Sequence, residues 1–332
     1  MTIEATAFAR AGLIGNPSDG YFGKTISIIV RNFSATASIE PAERLEIVPS
    51  PADLPRYASV EELIASVRRI GYYGGERLMK ASIRLFADYC AANGIALKRD
   101  CFSLTYRSNI PRCVGLGGSS ALVTAAIRAL REFYGVFIAR EVQPSIVLSA
   151  ERDELGIGAG LQDRVIQTYE GMVYMDFSRE VMETEGRGRY EPMPPSLLPP
   201  LFIAYDANLG EGSEVVHNDL RERFARSDPE VVAAMQRFAE LTDAARDALT
   251  NGRPHELGPL MSENFDLRLR LCRLSERNVR MIEIAREAGA HAKFAGSGGA
   301  AVGTYESESM FDALAAAYRA EGFEVIKPIV TG

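Results

Sequence analysis

An α+β fold in two domains is what this sequence predicts, and three observations predict it. Stretches with strand character and stretches with helical spacing follow one another irregularly, not as the βαβα repeat that builds one continuous parallel sheet. The segment EPMPPSLLPP (Glu191–Pro200) places five prolines in ten residues. Because proline fixes φ and removes a donor, this segment reads as an extended connector, setting domains of 1–195 and 196–332. A length of 332 residues is generous for one domain and short for three.

The elements follow in chain order. ISIIVRNFSATASI (Ile26–Ile39) is rich in β-branched residues and predicts a strand or hairpin. From Val60 to Cys90 the spacing is helical, interrupted at GYYGG (Gly71–Gly75) by a loop between two helices. CFSLTY (Cys101–Tyr106) alternates as a strand does. Leu122, Ala126, Leu130 and Phe133 then share a helical face, with Gly135 placed to end the helix. Gln143–Gly156 is a second helix of this region, opened by Pro144 and Ser145; Leu161, Val165 and Tyr169 mark a short third. GMVYMDF (Gly171–Phe177) is a strand. The second half predicts strand (Leu201–Asp206), three helices, strand, helix and a last strand at Phe323–Val330, where Pro328 suits a sheet edge.

Charge narrows the function. With 37 basic and 44 acidic residues the net charge is −7, so no global field recruits nucleic acid or an anionic membrane. The four cysteines form no CxxC pair and there are three histidines, which disfavours a Cys/His metal centre. No signal-peptide pattern and no apolar run near 18 residues is present, so the expectation is a reduced, cytoplasmic protein.

Chemistry concentrates in CVGLGGSSALVTAA (Cys113–Ala126). The first amides of a helix lack intrahelical partners and carry a partial positive charge, and a glycine-rich entry lets an anion approach them. Gly115, Leu116, Gly117 and Gly118 form that entry; Ser119 and Ser120 add hydroxyls able to cap the helix, meet a phosphate or ligate Mg²⁺. A plain serine N-cap is the simpler alternative, though it needs one serine and none of the glycines. Neither GxxxxGK[ST] nor GxGxxG is matched. Two more glycine-rich stretches, RAGLIGNPSDGYFG (Arg10–Gly23) and FAGSGGAAVG (Phe294–Gly303), resemble ligand loops, and either alone is also ordinary turn material. Glu151 and Asp163 stand twelve residues apart across GIGAG (Gly156–Gly160), which lets the chain double back and aim both carboxylates into one cleft. One would then ligate Mg²⁺ and the other orient or deprotonate a hydroxyl; two solvated helix faces would explain them equally simply.

Together these residues resemble the GHMP kinase superfamily. PRCVGLGGSSA (Pro111–Ala121) is similar to its central motif PxxxGLGSSAA, departing by an extra glycine, Gly118, that shifts the serine pair. RAGLIGNPSD and GSGGA (Gly296–Ala300) are similar to the first and third motifs, in family order. The resemblance implies an N-terminal ribosomal-S5-domain-2-like domain and a C-terminal ferredoxin-like α/β sandwich. It implies ATP as co-substrate, Mg²⁺ held by Glu151 with Ser119 or Ser120, Asp163 as catalytic aspartate, and Arg10 as the basic residue that sugar-kinase members place beside it. Longer segments, GNPSDGYFGKTIS, GYYGGERL, AGLQDRVIQTYEGMVYMDFS, ENFDLR and KFAGSGGA, resemble the glucuronokinase family, whose members phosphorylate the anomeric hydroxyl of glucuronate. Asn16 with Pro17 stands where galactokinase has Glu-His, which argues against galactose. On this reading Asn16, Asp19, Tyr21, Arg164, Asn264, Arg268, Gly296, Ser297 and Gly298 face the acceptor. Asn264 and Arg268, four apart on one helical face, or Arg164, supply the cation a uronate carboxylate needs. The competing readings are another sugar kinase of the superfamily (for galacturonate, fucose or a heptose phosphate) and a silent nucleotide-binding member. The sequence leaves the oligomeric state open.

Overall fold

A computed structural model describes residues 1–53, 57–70, 74–98, 100–207 and 214–331. The centre of the predicted Gly71–Gly75 loop, residues 71–73, lies outside them. The chain divides into two compact units that are not contiguous in sequence: Met1–Ala9, Asn32–Pro111 and Gly117–Tyr169 form the first, and Arg10–Arg31, Arg112–Leu116 and Glu170–Gly332 the second.

The strands β1 (Ile3–Ile14) and β2 (Lys24–Ala42) are long enough to contribute residues to each unit. The β-branched run read as a strand or hairpin is a single strand. In the first unit, Ala35–Ala42 of β2 pairs antiparallel with β4 (Cys101–Ser108), which pairs in parallel with β3 (Glu46–Val48). Helix α1 (Val60–Ile70) precedes α2 (Gly75–Ala92), and α3 (Gly118–Tyr134) packs against α2. The predicted stripe of α3 is the reason: Leu122, Ala126 and Leu130 are all buried. Around its end Phe86 stacks on Tyr134 at 5.8 Å and Phe102 meets Phe133 edge-on at 5.3 Å. Gly135 closes α3 in the left-handed region (φ 64°), a conformation glycine adopts without a Cβ penalty.

The helix predicted over Gln143–Gly156 is α in its first part only. Helix α4 (Gln143–Ser149) widens into a π turn over Ala150–Glu154 before Gly156 ends it. A π turn inserts one residue into the helical ladder and is frequent at functional sites; this one carries Glu151. Helix α5 (Gln162–Tyr169) follows, with Asp163 in its first turn.

In the second unit Lys24–Ile28 of β2 pairs antiparallel with β5 (Met172–Asp176), and β5 with β6 (Arg189–Met193); α6 (Arg179–Glu185) joins them. A separate antiparallel sheet has the order β10-β7-β9-β8, from β7 (Leu201–Tyr205), β8 (His291–Phe294), β9 (Ala300–Thr304) and β10 (Glu324–Ile326). The strand β10 is an edge strand, as Pro328 suggests, and stops two residues before that proline. Helices α7 (Glu214–Ala225), α8 (Pro229–Thr250), α9 (Leu257–Leu271), α10 (Glu276–Glu287) and α11 (Glu308–Ala320) complete the unit. Among the described residues four helices, not three, thus follow β7, and the predicted single strand after them is a hairpin, β8–β9, around the glycine-rich loop. The core beneath the sheet joins Phe202, Phe265, Met281, Phe294 and Tyr318. The mixture of antiparallel sheet and unrepeated helices is the predicted α+β class.

Candidate active site

Cys113 (φ 59°), Gly115 (φ 70°) and Gly117 (φ 74°) all adopt left-handed backbone, so the predicted turn reverses three times before α3 begins. The serine-cap alternative does not describe it. The residue preceding α3 is Gly117, with no side-chain cap, and both serines lie inside the helix. Ser120 is fully buried, and its hydroxyl donates back to Gly117 O at 3.1 Å. The amides of the first turn therefore receive no capping side chain from the residue before the helix. Gln167 of α5 braces this entry, its Nε2 donating to Gly117 O at 2.7 Å and to Phe8 O at 3.1 Å.

The same unit brings the acidic pair together through an arginine. Glu151 is fully buried, and its Oε2 accepts from Arg164 Nε at 2.8 Å and from Nη2. Arg164 Nη1 donates to Gly160 O at 3.0 Å and lies 3.5 Å from Asp163 Oδ2. Arg164 is thus committed to the two carboxylates, with 5% of its side chain exposed against 19% for Asp163. Glu151 Oε1, buried, has no hydrogen-bond partner. A carboxylate held on one oxygen and unsatisfied on the other is a hard-oxygen donor of the kind that fits Mg²⁺. Among the described residues no cluster of three or more His, Cys, Asp or Glu could hold a metal ion, so such a site would rely on hydroxyl, phosphate or water oxygens.

In the second unit the first and third motifs are bound to one another. Arg10 Nη1 donates to Gly115 O at 2.5 Å and Ala295 O at 3.1 Å. Arg268 on α9 donates from Nη1 to Gly296 O at 2.7 Å and from Nη2 to Ser297 O at 2.8 Å, leaving its buried Nε without a partner. Asn264 sits one turn before it: Oδ1 accepts from Gly15 N at 2.8 Å and Nδ2 donates to Asn16 O at 3.2 Å. Asn16 Nδ2 in turn donates to Gly296 O at 3.4 Å. The glycines of the third motif serve this contact. A Cβ on residue 296 would lie 2.2 Å from Gly115 O, and one on residue 115 would lie 2.6 Å from Gly298 O. Gly298 itself is in a conformation that side chains rarely adopt (φ 147°). Tyr21 packs edge-on against Phe224 at 5.1 Å, and burial pushes its phenol up to about 12. Asp19, partly exposed, lies in the short 3₁₀ turn before it.

Lys293 on β8 is the residue the sequence reading missed. It is 1% exposed, and its Nζ donates to Gly12 O at 2.6 Å, to Phe294 O at 2.7 Å and to Asn16 Oδ1. Burial, then the charges of Arg268 and Arg10, hold its ammonium well below the usual lysine range; burial lowers Arg268 as well. Among the described residues no carboxylate pairs with either Lys293 or Arg268. Burying such groups without a counter-charge is costly, and what offsets it here is the set of acceptors on Gly12, Asn16, Phe294, Gly296 and Ser297. Lys293→Met would strand three acceptors at once. The expected result is a loss of about 1–3 kcal/mol of stability, read as a lower urea midpoint with unchanged m-value.

The profile of the GHMP kinases N terminal domain matches residues 77–171, and that of the GHMP kinases C terminal domain matches residues 245–323. Glucuronokinase 1 of Arabidopsis thaliana is 47% identical over 307 residues, spanning 90% of this chain and 84% of the relative. Probable glucuronokinase 2 of the same plant is 44% identical over 335 residues, spanning 98% and 90%. Among solved structures, Lactococcus lactis galactokinase complexed with galactose superposes with a TM-score of 0.77 at 14% identity, over 100% of this chain and 94% of that one. At that identity the likeness concerns the fold alone.

Proposed function

Because the chain belongs to the GHMP kinase family, we propose that it is a glucuronokinase, transferring the γ-phosphoryl group of ATP to the anomeric hydroxyl of D-glucuronate. The observation that carries this reading is the 47% identity to Arabidopsis glucuronokinase 1, spread over 90% of the chain. The buried Arg268, whose Nε has no partner, supports it, since a uronate brings the carboxylate that a neutral hexose lacks.

In the mechanism, the open amides at the start of α3 and the turn from Gly115 to Ser120 hold the triphosphate. Asp163, the more exposed of the two acids, accepts the proton of the anomeric hydroxyl as that oxygen attacks the γ-phosphorus in line with the departing ADP. Arg164, 3.5 Å from its Oδ2, fixes Asp163 in place. Arg10 lends positive charge to the transferring group. Glu151 Oε1 and the hydroxyls of Ser119 and Ser120 are the groups that would hold Mg²⁺, which when bound screens the phosphate charge. Asn16, Asn264 and the loop Gly296–Gly298 shape the acceptor side, with Asp19 and Tyr21 at its edge. Positioning and electrostatics supply most of the rate enhancement.

ADP release with Mg-ATP over glucuronate, galacturonate, glucose, fucose and a heptose phosphate tests the proposal. Glucuronate is expected to give the highest kcat/KM. Arg268→Gln should raise KM for glucuronate by about tenfold, the value of one charge-assisted hydrogen bond, and should also loosen the Gly296–Ser297 loop that Arg268 holds. Preference for a neutral sugar, or silence on every acceptor, would overturn the assignment.

A further inference from the structure

The last turn of α3 carries a feature that phosphoryl transfer does not use. Arg128 and Arg131 on this helix and Arg140 in the following loop line a cavity of about 700 Å³. The catalytic serines sit in the first turn of the same helix. With a rise of about 1.5 Å per residue, roughly 16 Å of helix separates Ser120 from Arg131.

Neutral groups answer these arginines. Arg131 Nη1 donates to Gln143 Oε1 at 2.6 Å, and its Nε is buried without any partner. Arg140 Nη2 donates to Tyr169 O, and its guanidinium lies 4.4 Å over the Tyr169 ring. Among the described residues neither Arg131 nor Arg140 enters an ion pair, and Glu141 is the one acidic residue lining the cavity. Burial and the like charge of Arg128 both lower the affinity of Arg131 for its proton. In a chain of net charge −7, such an arginine cluster does not arise from a general basic excess.

A guanidinium offers donors in a rigid fork suited to phosphate oxygens. The space exceeds what a bare inorganic ion fills, and beside the arginines it presents Ile138, Ala139 and the exposed ring of Phe137, 80% accessible, against which an organic portion could rest. We infer that this cavity is a second ligand site, taking a small phosphorylated molecule at the end of α3 remote from the nucleotide.

The test is calorimetric titration of inorganic pyrophosphate into the full chain saturated with a non-hydrolysable ATP analogue, magnesium being supplied only in equal amount to the analogue. One saturable event per chain is expected. Arg131→Gln and Arg140→Gln should each weaken it beyond about threefold, with about tenfold the size of one lost charge-assisted hydrogen bond. Arg140 is a surface residue, so its variant remains informative should Arg131→Gln fail to fold. Absence of a saturable event, or affinity within about threefold of wild type in Arg140→Gln or in a folded Arg131→Gln, overturns the inference.

Discussion

Asp163→Asn lowers kcat for glucuronate by a factor on the order of 10²–10⁴, while the dissociation constant for ATP stays within a few-fold of wild type. The amide keeps the shape of the carboxylate and loses the capacity to take a proton. Fold and nucleotide turn should survive the change, because Arg164 retains its bonds to Glu151 and to Gly160 O. The contact at 3.5 Å to Asp163 Oδ2 is weakened. Steady-state ADP release combined with equilibrium nucleotide binding separates the two quantities. A variant with wild-type kcat would remove Asp163 from the chemistry.

Gly296→Ala should be among the most damaging single-methyl substitutions in the glycine-rich loops. The added carbon lands 2.2 Å from Gly115 O and 2.8 Å from Arg10 Nη1, and a backbone oxygen cannot swing aside as a side chain can. Relief requires the loops to part, which also breaks the bonds from Arg10 and Arg268 that close them. The expected cost is about 3 kcal/mol, read as a lower denaturant midpoint together with weakened ATP binding. Gly20→Ala is the matched control, since nothing lies within 4 Å of a Cβ there, and its effect should stay within about 0.5 kcal/mol. Equal midpoints for the two variants would show that the loops are looser than their contacts indicate.

Much of this was legible from residue patterns because the informative signals are local. The stripe Leu122–Ala126–Leu130, the stop at Gly135 and the alternation of Cys101–Tyr106 each depend on neighbours a few positions away, and each formed as expected. Glu151 and Asp163 were recognisable as a pair because a glycine-rich link of five residues joins their helices. What stayed hidden depends on distant partners. The π turn at Ala150–Glu154 follows helical residues with no breaker to announce it. One helix beyond the expected three follows β7, and the single strand expected after them is the hairpin β8–β9, whose two short strands are paired across the glycine loop. Lys293 had a weak signal, a lysine between Ala292 and Phe294 in an apolar strand, and on an exposed strand that pattern is ordinary. Its significance came from Gly12 and Asn16, some 280 positions earlier. Arg164 offered the opposite lesson: its position beside Asp163 made it look available to a substrate, whereas its nitrogens are engaged by Glu151, Gly160 and Asp163.

The mutual fit of Gly115 and Gly296 also bears on the order in which the protein can be finished during synthesis. The strand end at Arg10 and the turn at 112–116 leave the ribosome early, yet the carbonyls and the loop that hold them in place belong to residues 294–299. Until roughly nine-tenths of the polypeptide has been made, the nucleotide turn has its sequence and lacks its mould. Contacts of such long sequence separation are slow to form and leave nascent surfaces exposed meanwhile. The turn at 112–116 therefore gains its packing partners only when translation is nearly over.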